Sequence, residues 1–568
     1  MINIMIMKNK CFFSLLLAAA LSLAVPSPTA ARYEAFDHPD VPYADMICHG
    51  VDLNAVDEVC ARFSADPLGE YETLVGLYDE IYTQRELASI RMYQNPADET
   101  LSAGNEQAAI DFSRAADAIY YALGQALAGK DGDALAALMP EGEAEGFSGY
   151  APLDETVFET QSSEHALVQA YYSLPYDDSF ADKAAELYLR LAAMRRDMAK
   201  REGFDCYADY AYAMLFAREY DSSDMKALER IVKQQLAPLY VRCVQALDRL
   251  DMPWDDGDVP DDTEILNALQ AHMGDVSEEL TEALDYLRRN GLFCIGGAPM
   301  YETGFTTSLP AYRAPFLFNY VDSRFAAFQS TVHEFGHFNA AYHDPTPMLY
   351  QCAGSDVCEI QSQALELLFI PCLQDILAGE DTDSRAYVTL YAVTQILSSV
   401  VDGCLYDEFE QAVYETPDMT AEGLTELERS LYHAYGLDAL YVYTPFWCYI
   451  SHLFEQPFYY ISYAASALPA LDIWLRSCSD RAAAVDTYLN ISAVRTDAWF
   501  LDVLYDNGLC DVTDPAEVRR LADGLTVQLS PLMGRRDHTA RYAAASCAVL
   551  LIGFGLFRAR RRKEPYDT

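Results

Sequence analysis

The chain has 568 residues, 51% of them apolar and few of them glycine or proline, so it can bury a large core and is not a disordered polymer. Eighty-seven acidic residues against 39 basic ones give a formal net charge of -48, which would repel a phosphate backbone and excludes nucleic acid as a partner. The same charge favours solubility and biases the surface towards cationic substrates, but is otherwise the ordinary coat of a solvated acidic protein.

At the N-terminus, Lys8 and Lys10 precede an apolar run from Cys11 to Val25, and small residues follow to Ala31. That order of charge, apolar stretch and small residues reads as a signal peptide over residues 1–31, with an uncleaved anchor as the alternative. No lipobox precedes Cys11. Residues 32–535 then form one mostly helical body. Glu72–Gln94, Gln107–Gly129, Phe180–Ala217, Met225–Leu250 and Val276–Asn290 carry apolar residues at helical spacing, with glycine and proline mostly between them. The acidic, turn-rich segment Pro253–Thr263 reads as a surface loop or as a hinge between lobes; its spacing does not fit a calcium-binding EF-hand. Strand signal is sparse and is best at Ala314–Val321, short and rich in aromatics.

Directly after that strand stands Thr331-Val-His-Glu-Phe-Gly-His-Phe-Asn-Ala-Ala-Tyr-His343. His333 and His337 are four apart, so on a helix their imidazoles share one face and can share a metal. Zinc suits imidazole nitrogen and keeps one position open in catalytic sites. Glu334 lies one step round the helix, where it can take a proton from a metal-polarised water. With ten histidines in the chain, this pattern arises by chance on the order of once per hundred such sequences. The competing reading, a helix with two satisfied histidines, is weakened by the apolar Phe335, Phe338, Ala340 and Ala341 around them. His343 points off the metal face and reads as surface or loop.

A catalytic zinc site needs a third protein ligand. The next helix, opening at Ser355 or Asp356, offers Glu359 and Glu366, seven apart on one face. Asp356-x-x-Glu359 also fits a capping box, in which Glu359 would only satisfy the helix N-terminus; spacing leaves both roles open. At the far end, sixteen apolar residues from Tyr542 to Phe557 span roughly 24 Å, short of a ~30 Å hydrocarbon core. Arg541 and Arg558 can snorkel or the bilayer can thin, and the basic cluster of 558–563 is a positive-inside signal. Residues 540–557 therefore read as a C-terminal transmembrane anchor and 558–568 as a basic cytoplasmic tail, with a buried core helix as the alternative. The expected location is exported and anchored at the cell surface. Fourteen cysteines, less Cys11 and Cys547, leave an even number that an exported chain can pair. Cys48–Cys60 and Cys352–Cys358 are the nearest pairs, and free buried thiols are the alternative.

These residues resemble the thimet oligopeptidase and oligoendopeptidase F family of zinc peptidases. The likeness lies in the His-Glu-Phe-Gly-His helix, in Val357-Cys-Glu-Ile-Gln-Ser-Gln-Ala-Leu-Glu366, in Pro315-Phe-Leu-Phe-Asn-Tyr320 and in His452-Leu-Phe-Glu-Gln-Pro-Phe-Tyr-Tyr-Ile-Ser-Tyr-Ala464, with a weaker match at Met198–Tyr210. It covers residues 195–465 and lies closer to the oligoendopeptidase F branch through the Phe-Tyr-x-x-x-Tyr-Ala pattern of 458–464; the thimet branch has a glycine-rich turn where this chain has Glu455-Gln-Pro-Phe458.

The resemblance implies a mainly α fold, a two-lobed helical bowl with a deep central channel and a small β element beside the metal helix. It implies one zinc ion held by His333, His337 and Glu359, with Glu366 orienting a histidine. It also implies a substrate-pairing edge on the 315–320 strand, and transition-state donors among His452, Tyr463, Tyr459 and Tyr460. The expected activity is endopeptidase cleavage of unstructured oligopeptides by Glu334-assisted attack of zinc-bound water. The rivals are a silent surface peptide-binding protein on the same fold and a related dipeptidyl carboxypeptidase or metallocarboxypeptidase.

Overall fold

Several helices start where a short polar side chain accepts from otherwise unpaired backbone N–H groups. In the computed structural model, which describes residues 37–534 apart from 141, 154, 352, 353, 441, 496 and 497, Asp52 caps α1 (Leu53–Ala65). After it come α2 (Tyr71–Gln94) and α3 (Glu99–Leu127), the latter capped by Asp98. The signal peptide expected at 1–31, the anchor at 540–557, the tail at 558–568 and Cys352 lie outside the described residues.

Helix α3 begins eight residues before the expected Gln107, because its first two turns carry no apolar repeat and are fixed by the Asp98 cap. Residues 180–217 are not one helix. Helix α4 (Phe180–Arg201) stops before Gly203, whose φ of +86° favours glycine, and a short helix Tyr207–Tyr210 runs into a π-turn at Ala211–Leu215. The expected Met225–Leu250 helix runs as Ser222–Ile231 and Ala237–Leu247, joined by a π-turn. Every described cysteine is a free thiol, Cys48 and Cys60 included.

A three-stranded sheet lies beside the second half of the chain: β1 (Phe293–Gly296), β2 (Gly304–Leu309) and β3 (Ala314–Tyr320). The order is β1-β3-β2, with β3 parallel to β1 and antiparallel to β2. The expected strand is thus the middle one, and both its edges are paired. The outer edges belong to β1 and β2, and it is β2 that lines the cavity, so the expectation that 315–320 offers its own edge is corrected.

Helices α5 (Arg324–His343) and α6 (Ser355–Leu368) follow the sheet, then α7 (Thr382–Glu415) and α8 (Tyr460–Ser477). The acidic 253–263 segment is a loop clamped over the start of α5: Asp256 accepts from Phe325 N at 3.2 Å and Asp258 pairs with Arg324 at 3.2 Å. From the other side, the Asn319 amide of β3 donates to Ser330 Oγ at 2.8 Å and Thr331 Oγ1 at 2.9 Å. Helix α7 is long and apolar enough to cross a bilayer, but 83% of its apolar window is buried within the protein; it is the core helix against which α8 packs. A smaller apolar core joins α1–α3 to Leu349 and Tyr350, and a cavity of about 900 Å³ runs between α2 and β2 on one side and α5, α6 and α8 on the other.

Asn319 is fully buried, so Asn319→Leu should cost about 1–3 kcal/mol by leaving two hydroxyls without their donor. Thermal unfolding of the variant against wild type measures this.

Candidate metal centre

Helix α5 opens with Ser323, whose hydroxyl accepts from Ala326 N at 3.4 Å, and carries His333 and His337 one turn apart with ring centroids separated by 5.0 Å. Helix α6 crosses it at Gly336. A Cβ there would lie 2.7 Å from both Gln361 O and Ser362 Cα, so only glycine lets the two backbones touch. That approach brings Glu359 Oε2 to 3.4 Å from His333 Nε2 and 3.7 Å from His337 Nε2. One donor atom from each of the three residues falls within 4.8 Å of the others.

The capping alternative for Glu359 is not what forms. The N-cap is Gly354, with no side-chain cap, and Asp356 accepts from Tyr220 Oη at 2.7 Å. Glu359 instead takes the Tyr459 hydroxyl at 2.8 Å and the Ser362 hydroxyl at 3.1 Å. Glu366 accepts from His333 Nδ1 at 2.6 Å and from Gln329 Nε2 at 2.6 Å. With Nδ1 held by Glu366, His333 presents Nε2 to Glu359 and His337, the nitrogen that would be left to ligate once its proton is displaced.

Charge at this point follows from burial and neighbours. Burial opposes ionisation of Glu359, but the hydrogen bond from His333 and the imidazoles beside it hold its carboxyl at about 2. Burial likewise works against a charged His333, yet Glu359 and Glu366 raise it well above the ordinary range. Burial leaves His337 neutral, at about 4. The metal-free site therefore draws a positive charge to the spot where the three donors meet. Donors about 2.1 Å from a tetrahedral zinc lie about 3.4 Å apart, close to the spacing of Glu359 from the two histidines. Two imidazoles and a carboxylate fit zinc.

Glu334 turns away from this cluster towards β2. The Thr306 hydroxyl donates to its Oε2 at 3.0 Å, and Gly304 passes so close that a Cβ would sit 2.8 Å from Oε1. Burial pushes the Glu334 carboxyl up to about 7. Nothing in the sequence marks Thr306 or Gly304, since β2 is short and has no clear alternation.

His452, Tyr459, Tyr460 and Tyr463 all line the same cavity. His452 sits on the short helix Ser451–Glu455, whose terminal carbonyls at Leu453 and Phe454 are held by the buried Arg195, the first at 3.3 Å. Burial lowers His452 to about 4, and the Tyr463 hydroxyl is 3.5 Å from its Nε2. Tyr459 commits its hydroxyl to Glu359, whereas Tyr460 packs edge-on against Tyr406 with centroids 5.7 Å apart. His343 is half-buried beside Tyr342 at the end of α5 and is not one of the three clustered residues, though it is no surface loop either.

No protein-family model and no curated protein matches the sequence. Solved structures share its fold. One described as an oligoendopeptidase F superposes with a TM-score of 0.74 at 19% identity, over 86% of this chain and 99% of the other. PZ peptidase A, solved with an inhibitor, gives 0.71 at 18%, over 86% and 99%. A protein from Bacillus anthracis str. Ames, also described as an oligoendopeptidase F, gives 0.69 at 16%, over 86% and 98%.

Glu359→Ala should abolish tight zinc uptake, and Glu366→Gln should weaken it about 10–100-fold by releasing His333. Chelator competition with the purified chain reads both.

Proposed function

The chain has the helical fold of the oligoendopeptidases, and on it we propose a zinc-dependent metalloendopeptidase acting on unstructured oligopeptides. The observation that carries this reading is the convergence of His333, His337 and Glu359 on one point in the cavity wall, with Glu334 next to it but held aside by Thr306. Bound there, zinc would polarise the scissile carbonyl and lower the pKa of water.

The chain's own groups account for the rest. Glu334, raised by burial to about 7, suits a base that takes a proton from water and returns it to the leaving amine. His452 and the Tyr463 hydroxyl are donors for the negative charge that develops on the carbonyl oxygen. The edge of β2, at Gly304–Ser308 in the cavity wall, supplies main-chain groups for an extended peptide. A cavity of about 900 Å³ takes a stretch of chain and not a folded domain. Cys358 in the wall is kept as a thiol, pushed up by burial to about 12, so it does not suggest a covalent route.

The wall also favours one sign of charge. Besides Glu359 and Glu366 it carries Glu86, Glu302 and Asp344, with Asp402 and Glu455 pushed up by burial to about 7 as Glu334 is, while Arg495 is the sole lysine or arginine among its described residues. Lysine- or arginine-containing peptides should therefore be cut with at least tenfold higher kcat/KM than glutamate-substituted counterparts at low salt, and the ratio should fall as salt rises.

Export and anchoring belong to the same proposal. Residues 1–31 would be removed, 540–557 would hold the chain in the membrane, and the peptidase body would face outward. The order of charge, apolar run and flanking basic residues supports this. Retention of the chain in carbonate-washed membranes, with the body digested by protease added outside cells, is the expected result; a soluble, protected chain would refute it.

Glu334→Gln should lower kcat by about 10²–10⁴-fold with zinc content unchanged. A zinc-loaded wild type inert on a broad peptide library would instead favour a peptide-binding protein. Cuts at a fixed distance from the substrate C-terminus would favour a carboxypeptidase.

A further inference from the structure

Between the His452 helix and α8 the chain makes a turn that a bulky residue should resist. Phe458 has a φ of +66°, in the left-handed region where a side chain is strained and which persists only when neighbours impose it. The next residue is Tyr459, whose hydroxyl reaches Glu359.

We propose that Arg218 and Glu410 are positioning residues that hold this turn and so aim Tyr459 at the metal-binding carboxylate. The inference rests on the metal-site reading above. The two residues grip the two faces of Phe458: its N–H donates to Glu410 Oε2 at 2.8 Å, and its carbonyl accepts from Arg218 Nη2 at 2.9 Å. The same Nη2 donates to Ser462 Oγ at 2.7 Å, one turn into α8. On its other side the guanidinium pairs with Asp356, Nε to Oδ2 at 3.6 Å, and Asp356 stands three residues before Glu359 on α6. One planar cation thus ties the turn that carries Tyr459 to the helix that carries Glu359.

The arginine has little freedom to do anything else. Its side chain is 1% exposed, and rings of Phe216 and Tyr212 lie 4.4 and 4.6 Å from its central carbon. The backbone is bent to deliver it, for Ala217 just before it is also left-handed, at φ +48°. Lysine could not replace it: a single ammonium cannot stack between two rings while donating to two acceptors and pairing with a third. Glu410, by contrast, needs only an acceptor oxygen, which glutamine retains.

The test is a double-mutant cycle read by zinc affinity. Apoprotein of wild type, Arg218→Lys, Tyr459→Phe and the double variant is titrated with zinc against a chromogenic chelator, with circular dichroism to verify folding. Each single change is expected to weaken zinc about tenfold, and the double change no more than either alone, because the arginine acts through the hydroxyl. Glu410→Gln should bind as wild type while Glu410→Leu matches Arg218→Lys. In peptide cleavage kcat should fall with KM little changed. Effects that multiply in the double variant, or an Arg218→Lys protein that melts earlier but binds zinc normally, would overturn the proposal. Should Arg218→Lys not fold, Glu410→Leu with Tyr459→Phe carries the same cycle; failure of both to fold would assign the pair a purely structural role. A wild type without zinc affinity sinks both readings, whereas zinc binding without cleavage sinks only the peptidase assignment.

Discussion

Two imidazoles from one helix and a carboxylate from the next can meet at a point only where the helices touch backbone to backbone. Gly336 is that place, with Gln361 and Ser362 pressed against its Cα hydrogens. Everything else in the site is arranged round the contact. Asn319 holds α5 to the sheet, the Asp256–Asp258 loop holds its first turn, and Gln361 ties α6 to the carbonyl of Ile491 at 3.1 Å. A metal site of fixed spacing needs such support from several sides, because a shift of one ångström in either helix would leave the donors aimed at different points.

Burial sets the electrostatics of the same place. Glu359, Glu366 and Glu334 are all less than a tenth exposed, yet they fare differently. Glu359 and Glu366 are each paired with an imidazole, and Glu359 stays ionised; Glu334 has only a hydroxyl and is pushed towards neutrality. Neighbouring carboxylates driven apart in proton affinity can divide binding from proton transfer between them.

How much of this the sequence carries depends on how local the cause is. His333, Glu334 and His337 are legible because the helix period alone places them. The Glu359 role was open on spacing, since a cap and a ligand both require an acid near a helix start. The choice depends on Gly354 being the cap and on Tyr459 a hundred residues away. Strands β1 and β2 are too short to show a period, and β2 turns polar groups to the cavity where alternation would otherwise show. The long helix expected through Phe180–Ala217 continued an apolar rhythm past Gly203, whose backbone angle breaks it. Arg218, Thr306 and Gly304 carry no motif; they matter only for what lies beside them in the fold.

The distances along the chain have a consequence for how the molecule comes into being. Arg218 meets Phe458 across 240 positions and Tyr459 meets Glu359 across 100. Synthesis runs from the N-terminus, so the histidine helix leaves the ribosome long before the residues that close over it. Contacts of such separation are slow to form, because a large loop must be ordered before they repay it. A nascent or truncated chain that ends before Tyr463 is thus not a smaller version of the molecule but one with an open wall. Completion of the site is a late event that reports on the assembly of nearly the whole described body.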